Sequence, residues 1–171
     1  MAVAIAQERK SYVVTGDETT ILHCLDDHLR SLPPGVIVTW NGARFDLPFI
    51  SDRARLHNID LGLHLVPDTR TRSHRPPLRG HDGGYHASWF EHTHLDAYAL
   101  YRSDVGASLG IPCGLKSLAR MARLTPVEVD RTEIHNLSPE ELDAYVASDA
   151  ELARELALRR WPTARLAIDV L

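Results

Sequence analysis

The chain has 171 residues, 44% of them hydrophobic and 25% charged, with a formal net charge of −4. That length predicts one domain with a substantial core, and the balance is that of an ordinary globular protein. No global positive field argues for nucleic acid, which leaves only local basic patches open, and no apolar run approaches membrane-spanning length.

In chain order, Ala2 to Gln7 and Ser11 to Thr15 read as two strands of a hairpin around the polar turn Glu8-Arg-Lys10. The first six residues are too few, and lack the basic flank, for a signal peptide. Gly16-Asp-Glu-Thr-Thr20 carries helix-start signals, and Ile21, Leu22, Leu25, His28 and Leu29 follow at helical spacing up to Pro33-Pro34-Gly35. Val36-Ile-Val-Thr-Trp40 reads as a buried strand. It turns at Asn41-Gly42, a pair that tolerates positive φ. Asp46 then stands alone in an apolar run (Phe45, Leu47, Phe49, Ile50) that continues as a helix through Leu56. This sets one carboxylate at the carboxyl edge of a sheet, where ligands collect in α/β folds.

Leu61 to Val66 reads as a short strand. Residues 67 to 86 read as a long loop broken by Pro67, Pro76, Pro77, Gly80, Gly83 and Gly84. Loops of that length are commonly functional, and this one holds Arg70, Arg72, Arg75 and Arg79, candidates for phosphate contact. Ala87 to His92 reads as a strand, and Thr93-His-Leu-Asp96 leads into a helix that Asp96 caps. Leu115 to Leu124 is a short amphipathic helix on which Lys116 and Arg120 share a solvated face. Ser138-Pro-Glu-Glu141 opens a last helix that runs to about Arg160 and is stopped by Pro162. The order predicts an α/β layer structure with an antiparallel hairpin at one side of a mixed sheet. Cys24 and Cys113 are far apart in no metal or redox spacing, so reduced thiols and a cytoplasmic location are expected. His74, His81, His86, His92 and His94 gather around the long loop in no structural zinc spacing, which favours surface histidines over a zinc site. Trp40 and Trp89 read as packing residues.

Tyr145 and Asp149 stand at i and i+4 on the otherwise apolar stripe of the last helix. A carboxylate aimed at a core needs a partner, commonly a cation. Set together, Asn41-Gly-Ala-Arg-Phe-Asp46 after a strand and Tyr145-Val-Ala-Ser-Asp149 on a helix resemble the DEDD superfamily of 3′–5′ exonucleases. These are DnaQ-like proteins with a ribonuclease H-like fold. The tyrosine marks the branch typified by the proofreading domains of family-B DNA polymerases. Val38 to Ile50 is similar to the second exonuclease motif of that branch, Tyr145 and Asp149 to the third, and Thr93 to Leu100 with Leu115 to Ala119 to the segment between.

The resemblance implies a nuclease, a hydrolase of terminal phosphodiesters that uses two Mg²⁺ or Mn²⁺ ions. Asp46 and Asp149 would be metal ligands, and Tyr145 would orient the attacking water. Asn41 and Phe45 would position the terminal nucleotides, and single-stranded 3′ ends are the expected partner, with no membrane role. The resemblance also implies a first motif, Asp-x-Glu on a central first strand, and this sequence holds no such pair on its first strand. Asp17 and Glu18 are adjacent at a helix start, so on a strand they would face opposite sides, and Glu8 lies in a turn. The expected fold is therefore a ribonuclease H-like mixed sheet with its first strand missing or replaced, in one exonuclease-like domain over residues 1–171. An N-terminally incomplete reading is preferred to replacement by the chain's own first residues or supply by a partner. Two alternatives stand beside the enzyme: a catalytically inactive nucleic-acid-binding module on the same fold, and a zinc-binding α/β protein.

Overall fold

The strand Val36–Thr39 (β3) alternates its side chains between two helical layers, as a strand's twofold period requires. Val36 and Val38, with Trp40 beyond them, pack on one face with Leu95, Leu100, Ala157 and Ala164. Ile37 turns to the other face, among Leu25, Leu29, Leu47 and Trp89. Cover on both faces explains the continuous apolar run. The computed structural model describes residues 2–8, 10–72, 78–130 and 132–168, without the side chains of residues 70–72 and 167.

Ala2–Ala6 (β1) and Ser11–Thr15 (β2) form an antiparallel hairpin with Ala4 opposite Val13. Glu18–Ser31 (α1) follows, with Asp17 as its N-cap accepting from the Thr20 N–H. After β3 come Asp46–Leu56 (α2), Leu63–Arg72 (β4), Gly83–Trp89 (β5) and His92–Asp96 (β6). The sheet order is β3-β6-β5-β4, with β3 parallel to β6 and the other pairs antiparallel. Ala97–Tyr101 (α3), a π-helical turn over Arg102–Gly106 and Ala107–Leu109 (α4) lead to Leu115–Met121 (α5), Pro139–Arg159 (α6) and Trp161–Ile168 (α7). Ser138 caps α6 through a reciprocal capping box with Glu141.

Several expected elements are corrected. Residues 67–72 and 83–86 are not loop: they extend β4 and β5 into a long hairpin. Pro67 is tolerated because β4 is the edge strand, where a missing N–H costs no ladder bond. The strand expected over 87–92 is cut by a turn at Phe90, whose φ of 51° is left-handed. Thr93 to Asp96 lead into a helix as expected, with Asp96 as the N-cap of α3, but they do so as the body of a strand, β6. Pro162 sits in the first turn of α7, so it starts a helix as well as ending one. Among the described residues the hairpin β1-β2 is a separate two-stranded sheet, not joined to the larger one.

Between the two sheets lies a cavity of about 1470 Å³. Its wall includes every residue of β1 and of β3 in succession. Successive residues of a strand point to opposite faces, so both strands present their edges, not their faces, to this space. Among the described residues, β1 pairs only with β2 and β3 only with β6. Apart from its open ends, the space is closed by Ile21, Leu22, Leu25 and Leu29 of α1 and by Val146, Ala150, Ala153 and Ala157 of α6. Val3 and Ile5 turn toward the α1 side. The intervening alanines fall on the opposite face of β1, which α6 crosses.

Gly62 shows how tightly the far end of the sheet is packed. A Cβ there would overlap the Phe90 ring, over which the Arg30 guanidinium also lies at 4.8 Å from the ring centre. Gly62→Ala is expected to cost about 1–3 kcal/mol by overpacking. Urea denaturation checks this, and an unchanged midpoint would contradict it.

Candidate active site

The turn after β3 is built by local chemistry. Asn41 adopts φ 67°, which Asn accepts more readily than most residues. Gly42 is required because a Cβ there would collide with the Thr39 side chain. Phe45 N–H donates to the Asn41 carbonyl (3.2 Å) and Leu47 N–H to the Gly42 carbonyl (3.0 Å), which winds the chain into α2. Asp46 thereby falls on the first helical turn, where a carboxylate meets the positive end of the helix dipole. The Asp46 side chain is exposed on the cavity wall, but the protein atoms crowded around its carboxyl push the pKa up, and the neighbouring charge of Asp96 adds to this. Phe45 is 42% exposed, its ring parallel to that of Phe49 with centroids 6.3 Å apart.

Strand β6 shapes this turn from the side. Thr39 Oγ1 and His94 Nε2 are hydrogen-bonded at 2.8 Å. Burial drives the His94 pKa down to about 4, so this imidazole is neutral at pH 7. Asp96 Oδ1 accepts from the Asn41 N–H (2.9 Å) and Oδ2 from the Ala43 N–H (3.1 Å). Oδ1 also caps α3 through the Tyr98 and Ala99 N–H groups, as the sequence predicts.

Helix α6 brings the second half. Tyr145 is buried and Asp149 half-buried. The expected cationic partner of Asp149 is Lys116, whose Nζ lies 3.7 Å from Asp149 Oδ1 and 4.3 Å from the centre of the Tyr145 ring. Lys116 also donates to the Val127 carbonyl. The solvated face expected for Lys116 and Arg120 is therefore corrected. Only Arg120 is on the surface, paired with Glu128, while the Lys116 side chain is 11% exposed. The signal was available: Lys116 sits at i−3 from Ala119, a buried residue of α5.

Asn41, Phe45, Asp46 and Asp149 all stand on the wall of the cavity between β1 and β3. Tyr145 meets Asp149 through Lys116. The arginines are less closely placed. Arg70 and Arg72 lie on β4 with side chains outside the described set, Arg75 lies outside the described residues, and Arg79 is exposed in the turn before β5. Strand β5 is tied to the site turn by the Tyr85 N–H, which donates to the Ala43 carbonyl at 3.0 Å.

Two carboxylates are the right kind of donor for Mg²⁺ or Mn²⁺, which prefer hard oxygen. Their number is short: among the described residues no group of three or more His, Cys, Asp or Glu is placed to hold an ion. The same finding weighs against the zinc alternative. His92 and His94 are not surface residues but buried in β6, bonded to the Leu29 carbonyl and to Thr39. His81 is held between the Tyr85 hydroxyl (2.6 Å) and Asp52 (2.9 Å). His86 lies 3.8 Å from Asp68, and His74 is outside the described residues.

A mixed four-stranded sheet flanked by helices, with one acidic residue after the edge strand β3 and another on the long helix α6, is the arrangement of a ribonuclease H-like fold. Residues 5–110 match the family described as DNA polymerase family B, exonuclease domain, and the chain belongs to that family. Similar curated proteins are the DNA polymerase epsilon catalytic subunits A of Schizosaccharomyces pombe and Saccharomyces cerevisiae. They are 34% identical over 139 residues and 29% identical over 140 residues. The subunit of Arabidopsis thaliana is 30% identical over 128 residues, 72% of this chain and 5% of its own length. The two yeast alignments cover 78% of this chain, which spans about 6% of the length of those relatives. Among the described residues no helix is long and apolar enough to cross a membrane.

Proposed function

We propose that the chain is a 3′–5′ exonuclease domain that hydrolyses terminal phosphodiesters at single-stranded 3′ ends. DNA is the favoured substrate, because the named relatives are DNA polymerases. The observation that carries this is that Asp46 and Asp149, from distant parts of the chain, both stand on the wall of one cavity. Both would ligate a divalent cation. A cation there would supply charge neutralisation at the attacking and leaving oxygens. Tyr145 would orient the attacking water. Asn41 would position the terminal nucleotide and the exposed Phe45 ring would stack on a base. Arg70, Arg72, Arg75 and Arg79 would hold phosphates.

The carboxylates still wanted belong to the space between β1 and β3. Two open strand edges facing each other across an apolar cavity fit one further strand, paired on both sides and covered by α1 and α6. A strand with Asp-x-Glu at the level of Asp46 would point both acids to one face. The test is cation-dependent mononucleotide release from a 3′-labelled single strand by the chain with such a strand joined before Ala2. Release lost in Asp46→Ala and in Asp149→Ala supports the reading, and release indifferent to both would sink it. The shortage of carboxylates favours a second reading for the chain without that strand, an inactive binding module, for which tight strand binding without cleavage is the expected result.

The raised Asp46 pKa gives a pH dependence. The cation needs the carboxylate, and partial desolvation together with Asp96 favours the protonated form. Cation affinity is therefore expected to fall, as pH is lowered, at a higher pH than the ordinary carboxylate value of 3.8 would give. A Mn²⁺ titration followed by electron paramagnetic resonance across pH reads this. An acid limb at the ordinary value would contradict it.

A further inference from the structure

We propose that Asp96 is the positioning residue of the site: its two carboxylate oxygens clamp the turn that aims Asp46 into the cavity, and the cation affinity of Asp46 depends on that clamp. The proposal rests on the reading of Asp46 as a cation ligand, and one arm of its test does not.

The two oxygens do different work. Oδ1 takes the Asn41 N–H and also the Tyr98 and Ala99 N–H groups at the start of α3. Oδ2 takes the Ala43 N–H alone. Capping α3 needs only one acceptor oxygen, so Oδ2 goes beyond a cap. The second bond reaches across to the turn that Asn41 enters with a left-handed φ and that Gly42 allows by lacking a Cβ. From α2 the turn is held by backbone bonds such as Leu47 N–H to the Gly42 carbonyl, since Phe45 at the N-cap makes no side-chain capping bond. The side-chain hold comes from β6, by His94 on Thr39 and by Asp96 on Asn41 and Ala43. His94 and Asp96 are two apart on β6, hence on one face, and the parallel register sets Ile37 and Thr39 opposite them. From the other side, the Tyr85 N–H holds the Ala43 carbonyl at 3.0 Å, so Ala43 is gripped at both polar groups. Three residues later stands Asp46. A loosened Ala43 would let the first turn of α2 shift, and a displacement of that kind is enough to spoil a coordination geometry.

Asp96→Asn isolates the clamp. Its amide oxygen can keep the place of Oδ1, with the α3 cap and the Asn41 bond, while the amide nitrogen then faces the Ala43 N–H donor to donor. Amide exchange by NMR is expected to speed up about tenfold or more at Ala43 while Tyr98 keeps its protection. Mn²⁺ affinity is expected to drop about tenfold. Exchange unchanged at Ala43, or raised equally at Ala43 and Tyr98, would overturn the clamp. So would Mn²⁺ binding as tight as in the parent alongside faster Ala43 exchange. A parent that binds no Mn²⁺ counts against Asp46 as a ligand, while the exchange arm still decides whether Asp96 holds the turn. If Asp96→Asn does not fold, Asp96→Ser, which caps α3 and is too short to reach Ala43, is read in the same way.

Discussion

In the chain bearing an added Asp-x-Glu strand before Ala2, replacing Asp46 by alanine is expected to cut cation-dependent hydrolysis about 10³-fold or more, the several kcal/mol that a held divalent cation supplies. The same change is expected to leave the fold at least as stable at pH 7. The sign follows from the raised pKa. Partial desolvation of the exposed Asp46 carboxyl, with Asp96 beside it, favours its protonated form in the folded state, so the unfolded chain releases that proton more readily. Above the folded pKa the ionised group therefore works against folding, and below the unfolded pKa it has no differential effect. Alanine removes that burden. Activity lost while stability is held or gained is the signature of a carboxylate kept for chemistry, and urea midpoints beside rates would show it. A large loss of stability in Asp46→Ala would mean that the carboxylate serves packing instead. Asp149 is different, because Lys116 is paired to it. Asp149→Asn, which keeps the shape, is the better companion variant.

The opposite pattern is expected at Asp26. This buried α1 residue accepts from the Trp89 indole N–H (2.7 Å) and the Gly62 backbone N–H (2.8 Å), both on Oδ1. Its Oδ2 meets the exposed Arg30 at 3.1 Å. Asp26→Ala leaves two donors unsatisfied in the core beside Trp89, which is 2% exposed. At roughly 1–3 kcal/mol for each, the loss is expected to be about 2–6 kcal/mol. Asp26→Asn can keep both buried bonds on its amide oxygen and forfeits only the surface ion pair, so its cost is expected to stay within about 1 kcal/mol. Urea denaturation of the two variants separates the bonds from the charge. Equal losses would assign the effect to the charge, and two small losses would contradict the buried acceptor.

The parts legible in the sequence are those fixed by neighbours in the chain. Val36 to Leu56 could be read as strand, turn and helix because β-branched residues, an Asn-Gly pair and a helical period follow each other directly. Ser138 and Glu141 announce α6 in the same way. The parts that escaped depend on pairing at a distance. Pro67, Gly83 and Gly84 are loop signals by themselves, and only the place of β4 at the sheet edge, with β5 opposite, lets them stand in strands. His92, Thr93 and His94 lack the apolar alternation of a strand, and their burial becomes sensible once the bonds to Leu29 and Thr39 are in place. Asp96 was legible as a cap, but its hold on Asn41 and Ala43 crosses from β6 to β3 and has no local signature. The lack of an Asp-x-Glu pair on the first strand was legible too, while the apolar space bounded by the edges of β1 and β3 was not.

The central claim is that Asp46 and Asp149 are one half of a cation site whose other half enters on a strand between β1 and β3. The direct measurement is mononucleotide release from a 3′-labelled single-stranded DNA in Mg²⁺, by the chain bearing an added Asp-x-Glu strand before Ala2 and by the same chain with Ala-x-Ala there. The expected result is release from the first, none from the second, and none when Asp46 or Asp149 is replaced in the first. Equal release from both, or no release although the added strand is protected from exchange between β1 and β3, would contradict it.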